Sequence, residues 1–173
     1  MKRLFLGFLM IVGLGVGLSA PVQAAEEIEV EIPVLGQSIY RMYNPNTGEH
    51  LYTPSMFEQA TLFNLGWKDE GTAWFAPREY VGAAIYRVYN PNAGDHHFTT
   101  DVNEIAHLLE VGWHDDRLSF PSATDEGVPI YRLYNPNAKV GAHHFTANGA
   151  ERDMLVSVGW RYEGISFYAD SLN

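Results

Sequence analysis

One seven-residue pattern occurs three times in this chain, as Tyr40-Arg41-Met42-Tyr43-Asn44-Pro45-Asn46, Tyr86-Arg87-Val88-Tyr89-Asn90-Pro91-Asn92 and Tyr131-Arg132-Leu133-Tyr134-Asn135-Pro136-Asn137. Its period of about 45 residues sets the architecture, because a unit of that length cannot bury both faces of its own sheet and helix. The match runs well beyond the pattern. A His segment follows each time: His50-Leu51-Tyr52-Thr53, His96-His97-Phe98-Thr99 and His143-His144-Phe145-Thr146. Each copy then reaches Gly66-Trp67, Gly112-Trp113 or Gly159-Trp160, next an acidic residue at Glu70, Asp116 or Glu163, and last an aromatic at Trp74, Phe120 or Phe167.

Each copy reads as a β-hairpin, a helix and a strand. Residues 39–43 are rich in β-branched and aromatic side chains, which suit a strand. Asn-Pro-Asn is turn chemistry, since proline presets φ and asparagine tolerates positive φ. The His segment is then the returning strand, and the two extra residues of copy three fall in its turn. Ser55, Asp101 and Asn148 are helix N-caps, each followed three places on by Glu58, Glu104 or Glu151, the pattern of a capping box. In copy two, Val102, Ile105, Ala106, Leu108, Leu109 and Val111 recur at helical spacing and predict one apolar side. The Gly before each Trp ends the helix in the left-handed region. The expected fold is an α+β repeat, with three such units in a closed pseudo-threefold, three-bladed propeller-like arrangement.

Residues 1–24 read as a signal peptide. Lys2 and Arg3 precede the apolar run from Leu4 to Leu18, and small residues end at Ala24. Residues 25–37 contain the strict alternation Glu27-Ile28-Glu29-Val30-Glu31-Ile32, an N-terminal strand that can close the ring. Residues 38–173 form one domain with repeats at 38–79, 84–122 and 129–170. The expected location is secreted or periplasmic. The chain holds 11 basic and 21 acidic residues, and both leader charges are basic, so the exported part is more acidic than the net −10 of the whole. Such a chain repels phosphate backbones and anionic lipid, which argues against nucleic acid and, after signal cleavage, against membrane partners. With no cysteine, disulfides and thiolate chemistry are excluded.

The threefold pattern resembles a family of secreted bacterial and fungal repeat proteins of uncharacterised function, whose hallmark is Y-R-x-Y-N-P-N, then H-x-[YF]-T, a Glu-bearing helix and Gly-Trp. The resemblance covers Ser38 to Ala169. It implies an extracellular accessory module with a role in envelope or carbohydrate attachment, and it supplies no catalytic residue. Two departures stand out: Leu51 in place of the second His, and Arg117 in place of the Gly of copies one and three.

The polar residues come in threes. Arg41, Arg87 and Arg132 are read as structural ion-pair partners of Glu70, Asp116 and Glu163, since a guanidinium in a partly buried strand needs a carboxylate. Capture of a ligand carboxylate or phosphate is the other reading. Tyr43, Asn46, His50, Tyr89, Asn92, His96, His97, Tyr134, Asn137, His143 and His144 are candidate ligand-binding residues at the hairpin ends. Tyrosine faces suit sugar rings, and Asn and His supply directional hydrogen bonds. Trp67, Trp113 and Trp160 are assigned to the core. No H-E-x-x-H, P-loop or G-x-S-x-G is present, so no metal, cofactor or catalytic set is assigned. The leading expectation is an exported, non-enzymatic module that binds glycan or a cell-wall polymer. The alternatives are a secreted hydrolase, metal-assisted through the His cluster, and a protein-interaction module.

Overall fold

The computed structural model describes residues 36–172. The signal peptide and the 27–32 strand lie outside the described residues. The described chain forms three similar three-stranded antiparallel sheets, each with one helix. Copy one contributes β1 (Gln37–Tyr43), β2 (His50–Thr53), α1 (Met56–Asn64) and β3 (Lys68–Ala76). Copy two contributes β4 (Ala84–Asn90), β5 (Asp95–Thr99), α2 (Val102–Glu110) and β6 (His114–Pro121). Copy three contributes β7 (Val128–Tyr134), β8 (His143–Thr146), α3 (Gly149–Ser157) and β9 (Arg161–Ala169). The first strand of each copy is central, with the hairpin partner on one side and the closing strand on the other.

Local chemistry explains these boundaries. The side-chain oxygens of Asn44, Asn90 and Asn135 accept from the backbone N–H two residues on, which closes each turn. Ser55, Asp101 and Asn148 cap their helices through backbone N–H groups of the first turn. Each helix ends in a Schellman pairing: Trp67, Trp113 and Trp160 donate to the carbonyls of Leu62, Leu108 and Leu155, about a turn and a half back. Gly66, Gly112 and Gly159 supply the positive φ this requires. At the equivalent bend in the closing strands, Gly71 and Gly164 have φ 82° and 103°, and Arg117 takes φ 55° in copy two. The Asp115 carboxylate supports that departure by accepting from the Arg117 N–H at 2.8 Å.

The core is aromatic and repeats with the sequence. Tyr52, Phe98 and Phe145 occupy one position in the three copies, and all three meet edge to face with centroids 5.4, 5.7 and 5.8 Å apart. Trp74, Phe120 and Phe167 pack outside them, and Ile39, Ile85 and Ile130 complete the cluster. Tyr52 alone among the three inner rings carries a hydroxyl. It donates to the Phe145 carbonyl at 2.6 Å and accepts from the Phe145 N–H at 3.1 Å, so its polar tip is satisfied in the core.

The helices depart from expectation. None buries a residue fully, and in α2 Val102 and Leu109 remain 64% and 40% exposed. The inner aromatic side chains of the sheets already fill the core, so the helices lie outside it. The three tryptophans after Gly are likewise half-buried rather than central, and the core tryptophan is Trp74.

Contacts between copies run in a cycle. The Glu49 carboxylate of copy one accepts from the His96 N–H of copy two, and Asp95 of copy two accepts from Gly141 and Ala142 of copy three. The cycle returns where Gly141 crosses copy one. A Cβ on Gly141 would stand 2.7 Å from the Gly48 carbonyl oxygen and from the Glu49 Cα, and φ there is +63°. Gly141→Ala is therefore expected to lose about 2 kcal/mol or more, because strain and a backbone clash add. Urea denaturation would read this directly, and an unchanged midpoint would contradict the crossing. At the other end of the sheets, Asp170 donates to the Phe75 carbonyl at 2.8 Å and Phe75 donates to the Ser171 carbonyl at 2.9 Å. The linker residue Ala123 makes the equivalent bond to Tyr168 on copy three, at 2.8 Å. The C-terminal residues thus take, on copy one, the place that a linker takes on copy three.

Candidate functional site

The polar triplets gather at three junctions between copies, each built around one arginine. Arg41 Nε lies 2.8 Å from Glu70 of its own copy, and its Nη1 lies 3.2 Å from Glu151 of copy three. Arg132 repeats this with Glu163 at 2.9 Å and Glu104 of copy two at 3.0 Å. Arg87 pairs with Asp116 of its own copy and grips both oxygens of Glu58 of copy one, at 2.8 and 2.9 Å. Each arginine therefore holds one carboxylate from its own closing strand and one from the helix of the preceding copy, with copy three preceding copy one.

The second carboxylates come from residues that the sequence assigns to capping boxes. In a capping box, Glu58, Glu104 and Glu151 would reach back to the backbone N–H of the cap. That N–H is taken by a threonine instead: Thr53, Thr99 and Thr146 accept from Ser55, Asp101 and Asn148, each at 3.0 Å. The same hydroxyls bond the glutamates. The threonine of H-x-[YF]-T thus satisfies the cap and turns the glutamate toward the next copy. The signal available in sequence is that threonine, fixed two residues before every cap.

The histidines divide into two sets. His50, His96 and His143 are half-buried. Each tilts against the tyrosine that closes the same hairpin, with centroids 4.9 Å apart for Tyr43–His50, 4.9 Å for Tyr89–His96 and 5.2 Å for Tyr134–His143. His97 and His144 are buried at 2% and 3% exposure, so they do not face outward as ligand contacts. Their Nε2 atoms lie 3.3 Å from Glu104 and 3.2 Å from Glu151, and Trp113 and Trp160 pack against their rings. Buried and half-buried rings meet across the junctions, His50 with His144 at 4.5 Å and His97 with His143 at 4.4 Å. His96 faces no second His, because Leu51 stands there. Its Nδ1 instead lies 2.6 Å from the buried Glu49 carboxylate. Among the described residues no three His, Asp or Glu side chains converge as a metal-binding set.

The Leu51 departure accounts for the unequal arginine pairing at the junction of copies one and two. Glu104 and Glu151 each meet a single Nη1 of their arginine with both oxygens and have a histidine Nε2 beside Oε1. Glu58 has Leu51 where the others have a histidine, and it grips both Nη1 and Nη2 of Arg87, one with each oxygen. Arg87 is accordingly only 5% exposed, against 23% for Arg41 and Arg132.

Electrostatics follow from these contacts. The His97 and His144 imidazoles beside them, with the Thr99 and Thr146 hydroxyls, hold the Glu104 and Glu151 carboxyls well below the usual range, outweighing burial. For Glu58 burial works upward, and the Arg87 and Thr53 hydrogen bonds more than reverse it. Burial, then the adjacent imidazole and arginine, pushes His50 and His143 down to about 3, so both are neutral at ordinary pH.

The candidate surface residues Tyr43, Tyr89 and Tyr134 are half-buried at the hairpin ends, and Asn46, Asn92 and Asn137 are exposed on the turns. Each hairpin end therefore presents the same Tyr–His pair beside an exposed Asn.

These features define a class: a repeat domain of three antiparallel sheets joined by partly buried arginine–carboxylate clusters. The chain belongs to the family described as Domain of unknown function (DUF5648), which matches residues 38–170. No curated protein and no solved structure matches it.

Proposed function

We propose that this domain is an exported, non-enzymatic binding module for a glycan or another polymer of the cell envelope. Its three sheets form a closed pseudo-threefold ring of propeller type, and the contacts lie at the three hairpin ends. The observation that carries the reading is the triplication of one surface: a half-exposed tyrosine tilted on a neutral or carboxylate-bound histidine, next to an exposed asparagine. The cyclic arginine pairs and the three-way aromatic contact support the ring. A binding role is favoured over hydrolysis because the charged groups are already turned on one another. Every junction arginine holds two carboxylates, and the two imidazoles shifted to about 3 are poor bases. Export rests on the N-terminal leader, with a secreted or periplasmic destination. The acidic surface favours uncharged polymers over nucleic acid or anionic lipid.

Repetition makes weak sites effective through avidity. The test is retention of the exported chain on purified peptidoglycan and on common insoluble polysaccharides. Wild type is expected to be retained on at least one. The triple variant Tyr43→Ala, Tyr89→Ala, Tyr134→Ala, shown folded by circular dichroism, is expected to lose at least tenfold in retention. No retention of wild type on any polymer would overturn the glycan reading in favour of a protein partner.

A further inference from the structure

The three junctions differ in one way the repeat does not demand. Closing-strand positions beside the arginine are Leu118 and Ser119 in copy two and Ile165 and Ser166 in copy three, but Thr72 and Ala73 in copy one. At the junction between copies three and one, a cleft of about 330 Å³ opens. It is lined by Arg41, Glu70, Thr72, Ala73, Glu151 and Leu172, among others. That volume is at the lower end of small-molecule pockets, about 300–1,000 Å³.

The arginine at its wall is incompletely used. Arg87 engages all three guanidinium nitrogens. Arg41 uses Nε on Glu70 and Nη1 on both oxygens of Glu151, as Arg132 does on Glu163 and Glu104, and neither makes the two-nitrogen grip of Arg87; only at Arg41 does the cleft open beside the guanidinium. The cause lies one residue beyond the cleft. His144 draws on the same Glu151 carboxylate, which keeps it from the two-pronged grip that Glu58 has on Arg87.

We propose that this cleft binds a single neutral sugar residue carrying a vicinal diol. Arg41 Nη2 donates to one hydroxyl oxygen, and the Glu70 carboxylate, whose contacts fall on Oε2, accepts from a hydroxyl proton through its other oxygen. The methyl and methylene surfaces of Ala73 and Leu172 face the ring's apolar side. Two carboxylates against one guanidinium leave the site net negative, so it rejects uronic acids, whose own carboxylate meets like charge. The proposal deepens the glycan reading and rests on it, but it moves the specificity-determining contact from the hairpin ends to this junction.

The experiment is an NMR titration of the ¹⁵N-labelled chain with D-glucose, D-mannose, N-acetyl-D-glucosamine and D-glucuronate, up to tens of millimolar. At least one neutral sugar is expected to shift the signals of Thr72, Ala73 and the Arg41 side chain, and glucuronate to bind at least tenfold more weakly. Thr72→Leu places in copy one the residue copy two already carries, so the fold should tolerate it, and it is expected to weaken the sugar at least tenfold. Shifts confined to Tyr43, Tyr89 and Tyr134, or sugar binding unchanged in Thr72→Leu, would overturn this site and leave the hairpin-end reading standing. Glucuronate binding as well as the neutral sugars would overturn the site's selectivity. No shift with any sugar, together with no retention on any polymer, would overturn both readings.

Discussion

Arg87→Ala is expected to destabilise the domain by about 3 kcal/mol, the typical cost of stranding the partners of a buried ion pair. Arg87 is 5% exposed and stands between Asp116 of its own copy and Glu58 of copy one. Removing it leaves two carboxylates facing each other across a junction with no cation between them. Arg41→Ala and Arg132→Ala are expected to cost less, since both arginines are 23% exposed and water can screen what remains. Chemical denaturation of the three variants reads this order. Equal losses, or an Arg87→Ala midpoint equal to wild type, would remove the arginine clusters as the device that joins the copies. Replacing Arg87 by Lys is expected to rescue only in part, because an ammonium cannot reproduce a fork that meets two carboxylates at once.

The second large effect is acid lability. His50 and His143 have pKa values near 3 in the folded chain, against about 6.5 when unfolded. The unfolded chain therefore takes up protons first. The stability associated with these two neutral rings is complete above about pH 6.5 and is lost as pH falls from there toward 3. Glu104 and Glu151 act in the same direction at lower pH. Their depressed carboxyls contribute above the ordinary glutamate range and lose that contribution as they protonate. Between pH 6.5 and 5 the two shifted rings, His50 and His143, contribute up to about 2 kcal/mol each by pH 5. The fifth or so of each side chain that remains exposed reduces this figure. Denaturation midpoints at pH 7.5 and pH 5 should therefore differ clearly in wild type and converge in His50→Gln/His143→Gln. A wild type as stable at pH 5 as at pH 7.5 would show that the rings are not held neutral by the fold.

Much of the local structure was legible because the repeat presents each signal three times. Asn-Pro-Asn, the caps at Ser55, Asp101 and Asn148, and Gly before Trp mark turns and helix ends through short-range chemistry, and short-range chemistry is what a sequence displays directly. Glu70, Asp116 and Glu163 could be set beside the arginines because both lie on neighbouring strands of one copy. The partners from the preceding copy could not. Glu58, Glu104 and Glu151 have a plausible local use in a capping box, and only the three-dimensional succession of copies shows that a threonine has taken over that use. The same limit applies to His97 and His144. In sequence each is one of two adjacent histidines, and strand alternation sends one ring outward and the other under a tryptophan. The apolar spacing in α2 misled for a different reason. It satisfies a helical period, yet the sheets fill the interior with aromatic rings first, and the helix is left on the outside.

The described chain enters and leaves at one corner. Gln37, at the start of β1, pairs with Ala76, and Ser171 pairs with the adjoining Phe75. The first hairpin turn lies at the far end of β1, seven residues along, or roughly 20 Å at the rise of an extended strand. The two ends of the described chain therefore share one corner of the domain, and the Tyr43–His50 face stands at the opposite end of that sheet, clear of both.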